Sequence, residues 1–197
     1  MSIRFAAAAL LVAVSASPAF AHLDPAEHGS FAAGFTHPVF GLDHVLAMIA
    51  VGLWAALAGG RAIWLLPTVF VGAMLTGFGL SLAGVPIPYV EPVILASVII
   101  LGLIVAAAVN LPSWLSVALV AVFGMCHGHA HGGEMGDAGW LGYAAGFALA
   151  TAILHAAGVL IGHGANLAAG RDGPVAKTII RAIGAATAAG GVLLVVS

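Results

Sequence analysis

The stretch His37-Pro-Val-Phe-Gly-Leu-Asp43-His44-Val-Leu-Ala-Met48 places two imidazoles and a carboxylate at the start of a long apolar segment. A charged side chain at the centre of a membrane-spanning helix costs about 2.5 to 3.5 kcal/mol, so such residues are rare and tend to mark ion pathways. Asp43 and His44 are therefore predicted to be functional, and their partners are expected on other helices.

The composition of the whole chain supports a membrane location. Of its 197 residues, 62% are hydrophobic and only 6% are charged, whereas a soluble domain carries about 25% charged residues. The formal net charge of −2 is too small to indicate a nucleic-acid partner. The single cysteine, Cys126, excludes an intrachain disulfide and a cysteine-only metal site, so the nine histidines are the main candidate ligands.

The N-terminus has the pattern of a secretory signal. Arg4 precedes an apolar run from Phe5 to Val14, and Ala19-Phe20-Ala21 is a small-x-small end. This predicts a cleavable signal peptide over residues 1–21 and a mature domain over residues 22–197; an uncleaved first helix is the alternative. The mature chain would begin at His22, whose amine and imidazole, together with nearby His28, could capture a metal outside the membrane.

Six apolar segments follow a polar stretch at residues 22–37, and each is near the ~20 residues that a helix needs to cross a bilayer. They are 38–58, 62–83, 92–109, 113–132, 139–163 and 175–196. Because lipid cannot hydrogen-bond an open backbone, the segments are predicted to be helices. The predicted fold class is an all-α membrane protein, a six-transmembrane-helix bundle in the lipid bilayer with no second domain.

Basic residues indicate the orientation of the bundle. Arg61, Arg171, Lys177 and Arg181 all fall at or beside loops on one side, and the loops on the other side contain no lysine or arginine. The positive-inside rule then places the basic loops in the cytoplasm and both mature termini outside. The predicted location is the bacterial inner membrane, with both termini in the periplasm.

The first span offers a stripe of metal ligands. On a continuous helix His37 and His44 lie on one face, and Met48 follows His44 by one turn. Asp43 is turned by about 100° from His44, where it could flank a bound ion or hydrogen-bond a ligating imidazole. His37 has an alternative structural role as a helix cap at the membrane surface, beside Pro38.

The fourth span ends in Cys126-His127-Gly-His129-Ala-His131-Gly-Gly-Glu134. His127 and His131 have the i, i+4 spacing that chelates one ion from a helix, and Glu134 shares their face if the helix persists. His129 faces the other way. The alternative is a histidine-rich loop that binds metal loosely.

The fifth span contains His155, about 16 residues and hence ~24 Å from its outer end. The cost of burying it in a membrane favours a functional role over that of a hydrogen-bonded core residue. His163, near the cytoplasmic end, is a weaker candidate. Glycines four residues apart in the fourth and fifth spans, such as Gly124 with Gly128 and Gly158 with Gly162, predict that these helices pack closely at the centre of the bundle.

These motifs resemble the HupE/UreJ family of nickel and cobalt transporters. The resemblance rests on HPVFGLDHVLAMIAVGLWAAL in the first span, HGHAHGGE in the fourth and ATAILHAAG in the fifth, and it runs from about His28 to the C-terminus. It implies transport of Ni²⁺ or Co²⁺ to supply hydrogenase or urease, with a periplasmic or cytoplasmic metallochaperone as a further partner. The residues it implies as functional are His37, Asp43, His44, His127, His131 and His155.

The ligand chemistry itself indicates only a divalent transition metal. The chain lacks a nucleotide-binding motif, so secondary transport without a prosthetic group is predicted, and it is not expected to be an enzyme. An ion moving inward gains ~4.6 kcal/mol per 100 mV. In the predicted path, the outer histidines collect the ion: His22, His28 and His37. The ion is then bound in the outer half of the membrane by Asp43, His44, His127 and His131. It finally passes inward by His155 toward His163. The oligomeric state is left open.

Two other functions share these residues. In an intramembrane zinc hydrolase, His127, His131 and His155 would hold the metal and Asp43 or Glu134 would act as a base. In a haem protein, His44 and His155 would be axial ligands. No serine or other nucleophile accompanies the cluster, and the carboxylate beside His44 argues against haem.

Overall fold

The computed structural model describes residues 30–135, 139–169 and 173–196. Within these ranges the chain forms seven α-helices and no strand. In order they are α1 (Ser30–Phe40), α2 (Leu42–Ala58), α3 (Ala62–Leu82), α4 (Val90–Ala107), α5 (Ser113–Glu134), α6 (Trp140–Ala169) and α7 (Pro174–Val196). The predicted signal peptide, His22 and His28 lie outside the described residues.

Helices α3 to α7 are each long and apolar enough to cross a membrane, and α1 with α2 makes a sixth span when the two halves are taken together. The prediction of an all-α, multi-pass membrane bundle is confirmed. The span boundaries agree to within a few residues, except that α6 continues to Ala169, six residues past the predicted end.

The first span is broken, and here the sequence-based prediction of one helix over 38–58 is wrong. Helix α1 covers Ser30–Phe40, most of it inside the stretch that was expected to be polar and non-spanning, and the chain bends by 76° between α1 and α2. Gly41 between them is extended, with φ −77° and ψ 113°. A Cβ on Gly41 would lie 2.8 Å from His44 Nδ1 and 3.1 Å from Asp43 Oδ1. Any residue larger than glycine at this position would therefore collide with the side chains of Asp43 and His44.

Helix α2 is the centre of the bundle. It contacts α1, α3, α4, α6 and α7, and its side chains from Ala47 to Ala55 are almost all buried. Around it the outer helices pair, α3 with α5 and α4 with α7, and α6 packs along both α1 and α2. The core therefore surrounds the helix that begins with Asp43 and His44.

Glycines allow the fourth and fifth spans to touch neighbouring helices through their backbones, as predicted. A Cβ on Gly128 of α5 would overlap the Met74 carbonyl of α3, and one on Gly158 of α6 would overlap the Ile49 carbonyl of α2. The fourth and fifth spans thus pack tightly against α3 and α2 and hardly against each other. A helix face of small residues specifies a close approach but not which helix approaches.

Helix α1 is held in the same way. A Cβ on Gly34 would overlap the Tyr143 carbonyl of α6, and one on Gly146 would overlap the Phe31 carbonyl of α1. This double contact lays α1 along the N-terminal part of α6 and sets the direction in which His37, near the end of α1, points.

Candidate metal centre

Three histidines from three helices converge inside the bundle. One ring nitrogen each of His37 (α1), His44 (α2) and His131 (α5) lies within 4.8 Å of the other two. Metal–imidazole bonds of about 2.1 Å can join nitrogens about 4.2 Å apart, so small ring rotations would close this set on one ion. We call these residues the three-histidine cluster.

The bend at Gly41 creates the cluster. Two residues seven positions apart on a straight helix are offset by about 10.5 Å along its axis. With the bend, the His37 and His44 rings lie edge to face with their centroids 5.4 Å apart. The prediction that both residues line one face of one helix is therefore wrong, yet the break brings the two rings closer than that face would.

Asp43 orients His44. The His44 Nδ1–H donates a hydrogen bond of 2.8 Å to Asp43 Oδ1. Because Nδ1 carries the proton, Nε2 keeps its lone pair and accepts a hydrogen bond of 2.5 Å from His131 Nε2–H. A carboxylate that fixes the tautomer and raises the basicity of a ligating imidazole is a common support in metal sites. Asp43 thus directs the Nε2 atom of His44 toward His131.

His127 lies one turn deeper than His131 on the same face of α5. It is fully buried, and its ring stands edge to face with His44 at a centroid distance of 5.2 Å. The Nδ1–H donates to the Phe123 carbonyl at 2.9 Å, which leaves Nε2 with a lone pair. Among the described residues, that Nε2 has no hydrogen-bond partner.

His155 of α6 lies deeper still and is 1% exposed. Neither of its ring nitrogens has a partner within the described parts of the chain. Its ring contacts Phe70 of α3 at 5.0 Å between centroids, and Phe70 also contacts His127 at 5.5 Å. The buried imidazoles therefore continue from the three-histidine cluster toward the middle of the bundle.

Aromatic side chains enclose the cluster. Phe147 of α6 contacts all three rings, with centroid distances of 6.2 Å to His37, 6.0 Å to His44 and 5.0 Å to His131. A low-dielectric wall excludes water and strengthens the attraction between a cation and its ligands. Sequence analysis missed Phe147 and Phe70, because an aromatic residue in an apolar span gives no signal that separates a site wall from core packing.

The remaining candidates lie elsewhere. Met48 is fully buried one turn past His44. His129 is half-buried, and its Nε2–H donates to the Val85 carbonyl at 2.8 Å, in the loop between α3 and α4. His163 is exposed near the end of α6. Glu134 is the last residue of α5.

The geometry also bears on the two alternative functions. The ligands that converge are His37, His44 and His131, not the His127, His131 and His155 set that a zinc hydrolase was expected to use. The His44 ring is packed on several sides by other rings at centroid distances of 4.6 to 6.0 Å.

Comparison with known proteins gives two matches that cover nearly the whole chain. The family described as "HupE / UreJ protein" matches residues 9–194. Protein HupE of Rhizobium leguminosarum bv. viciae is 40% identical over 187 residues, which are 94% of this chain and 95% of that protein. No solved structure matches the chain.

Proposed function

The chain belongs to the HupE/UreJ family, and from that membership together with the three-histidine cluster we propose that it transports a divalent transition-metal ion inward across the bacterial inner membrane. The observation that carries the proposal is the convergence of three imidazole nitrogens within 4.8 Å inside a membrane bundle. Burying polar imidazoles inside a membrane costs free energy, and binding of a cation offsets that cost.

The donor set suits the proposed cargo. Imidazole nitrogen binds Ni²⁺, Co²⁺, Zn²⁺ and Cu²⁺, and the general affinity order does not select among them. We propose Ni²⁺ or Co²⁺ as the ion, and hydrogenase or urease as the enzyme supplied, on the basis of the family alone. Three protein ligands leave coordination positions open for water, which allows an ion to enter and leave the site stepwise.

The proposed path begins at the periplasmic face. His22 and His28 of the mature N-terminus collect the ion, and His37 passes it to His44 and His131. The ion then descends past His127 and His155 toward the cytoplasm. A divalent cation gains ~4.6 kcal/mol per 100 mV of membrane potential in this direction, so neither ATP nor a prosthetic group is needed.

The proposed topology follows from the charge distribution. Cleavage after Ala21 leaves residues 22–197 as a single transport domain with both termini in the periplasm. The loops that contain Arg61 and Arg171 then face the cytoplasm, where a metallochaperone would receive the ion. N-terminal sequencing of the purified protein should read His22 first.

Radioactive nickel uptake by cells tests the transport proposal. We expect His44→Ala and His131→Ala to reduce uptake at least tenfold at equal protein abundance in the membrane. His129→Ala is the matched control, since it lies on the same helix but faces away from the cluster, and it should keep uptake within twofold of wild type. Normal uptake in both cluster variants would refute the proposed role.

A further inference from the structure

Three imidazole nitrogens below the three-histidine cluster have no hydrogen-bond partner among the described residues: His127 Nε2, His155 Nδ1 and His155 Nε2. Both side chains are at least 99% buried. A buried polar atom without a hydrogen bond is unfavourable, and native structures rarely keep one without a ligand, ion or water to satisfy it. Two buried histidines with three such atoms call for an occupant.

The surroundings of these nitrogens supply further soft and polar donors. Thr151 lies one turn before His155 on the same face of α6, and its hydroxyl donates to Met74 Sδ of α3 at 3.6 Å. Both residues are fully buried. The Met74 backbone packs directly on Gly128, the residue after His127. The Thr151 hydroxyl is thus one turn from His155, and Met74 packs beside the residue that follows His127.

Phe70 connects the two histidines. Its ring contacts both His127 and His155, so side chains of α3, α5 and α6 meet at this point. A groove of about 660 Å³ between α3 and α6 borders His155 on the outside of the bundle. The residues that line this groove are apolar except for His155 and Thr68.

We propose that His127 and His155 form a second binding station for the transported divalent cation, deeper in the membrane than the three-histidine cluster. Met74 Sδ and Thr151 Oγ1 are its supplementary donors. Imidazole with thioether favours softer transition-metal ions and discriminates against Mg²⁺ and Ca²⁺, which prefer oxygen ligands. The proposal rests on the proposed transport function and deepens it by assigning two sites in series.

Two stations explain how an ion held by three imidazoles can leave. Conduction through a selective path requires binding that is favourable enough to admit the ion but shared among several sites so that the ion can move on. His127 contacts His44 at 5.2 Å, so it can take the ion from the outer cluster. His155 then receives it on the inner side.

Metal titration of the full-length protein in detergent tests this inference, with Co²⁺ as the probe because its visible absorption reports ligand type. We expect two Co²⁺ ions per wild-type chain and one in His155→Ala and His155→Gln. Thr151→Val should retain two ions but weaken the second. His129→Ala, the control on α5, should bind two ions.

Variants of the three-histidine cluster show whether the two sites bind ions independently. His37→Ala with His131→Ala should lose one ion and keep the one that depends on His155. If wild type and His155→Gln bind the same number of ions, the inner station is refuted, even if nickel uptake depends on His44. If instead the outer variant binds as many ions as wild type, the proposed outer site fails, while loss of an ion in His155→Gln still supports the inner one. Circular dichroism identifies a variant that has not folded. If His155→Ala does not fold, His155→Gln provides the test in its place.

Discussion

Asp43 and His44 are adjacent in sequence and joined by a 2.8 Å hydrogen bond from the imidazole Nδ1 to the carboxylate. The bond directs the other ring nitrogen of His44 toward His131. Neighbouring residues on a helix usually diverge, and here the bend before Leu42 leaves room for the carboxylate to turn back onto the ring. In the proposed site the pair is therefore one unit, in which Asp43 orients His44 and His44 is the ligand.

Replacement of Asp43 should weaken metal binding without abolishing it. Loss of a carboxylate that supports a ligating histidine typically costs 10- to 100-fold in metal affinity. We expect Asp43→Ala to fall in that range and Asp43→Asn to lose less, because the amide oxygen can still accept the Nδ1–H bond. Isothermal titration with Ni²⁺ measures both. Equal affinity in wild type and Asp43→Ala would show that Asp43 does not orient His44.

Gly41→Ala should damage the site and spare the fold. The backbone of Gly41 is in a region that alanine adopts readily, but the new Cβ would lie 2.8 Å from His44 Nδ1 and push the ring from its place. We expect at least a tenfold loss of nickel uptake with an unchanged melting temperature in detergent. Gly72→Ala on α3, where a Cβ meets open space, is the control. Full uptake by Gly41→Ala would contradict the steric argument.

Gly102→Ala should lower stability at a point far from the proposed ligands. Its Cβ would overlap the Ala188 backbone nitrogen at the crossing of α4 and α7, and overpacking typically costs about 1 to 3 kcal/mol. The melting temperature in detergent should fall clearly. Gly79→Ala, which points into open space on α3, should leave it unchanged or raise it. No difference between the two variants would mean that the crossing can relax.

Nickel uptake should fall as the external pH is lowered from about 8 to about 5. Histidine gains its second proton in this range, and an imidazolium has no lone pair for a metal, so protons compete with the ion. Metal binding is therefore lost as the pH falls. Uptake measured at a fixed membrane potential checks this. An increase in uptake at low pH would instead indicate that inward proton flow drives the ion.

Much of the candidate site can be predicted from the sequence because membrane burial makes polar residues conspicuous. His44 and His131 stand out for this reason, and the structure brings both into the three-histidine cluster. Span lengths follow from bilayer thickness, which is why the boundaries of α3, α4 and α5 are close to those predicted.

The remaining features depend on contacts that no local pattern encodes. Gly41 looks like one more small residue in a glycine-rich chain, and the bend there depends on α1 packing against α6 at Gly34. Phe147 becomes part of the site wall only through the α6 packing that brings it to the cluster.

The packing of α1 on α6 has a consequence for biogenesis. Gly34 packs on Tyr143, so α1 is synthesised long before the helix that holds it. During synthesis α1 can take its final position only after most of the protein has been made. A chain truncated before α6 therefore lacks the contact that positions His37 beside His131.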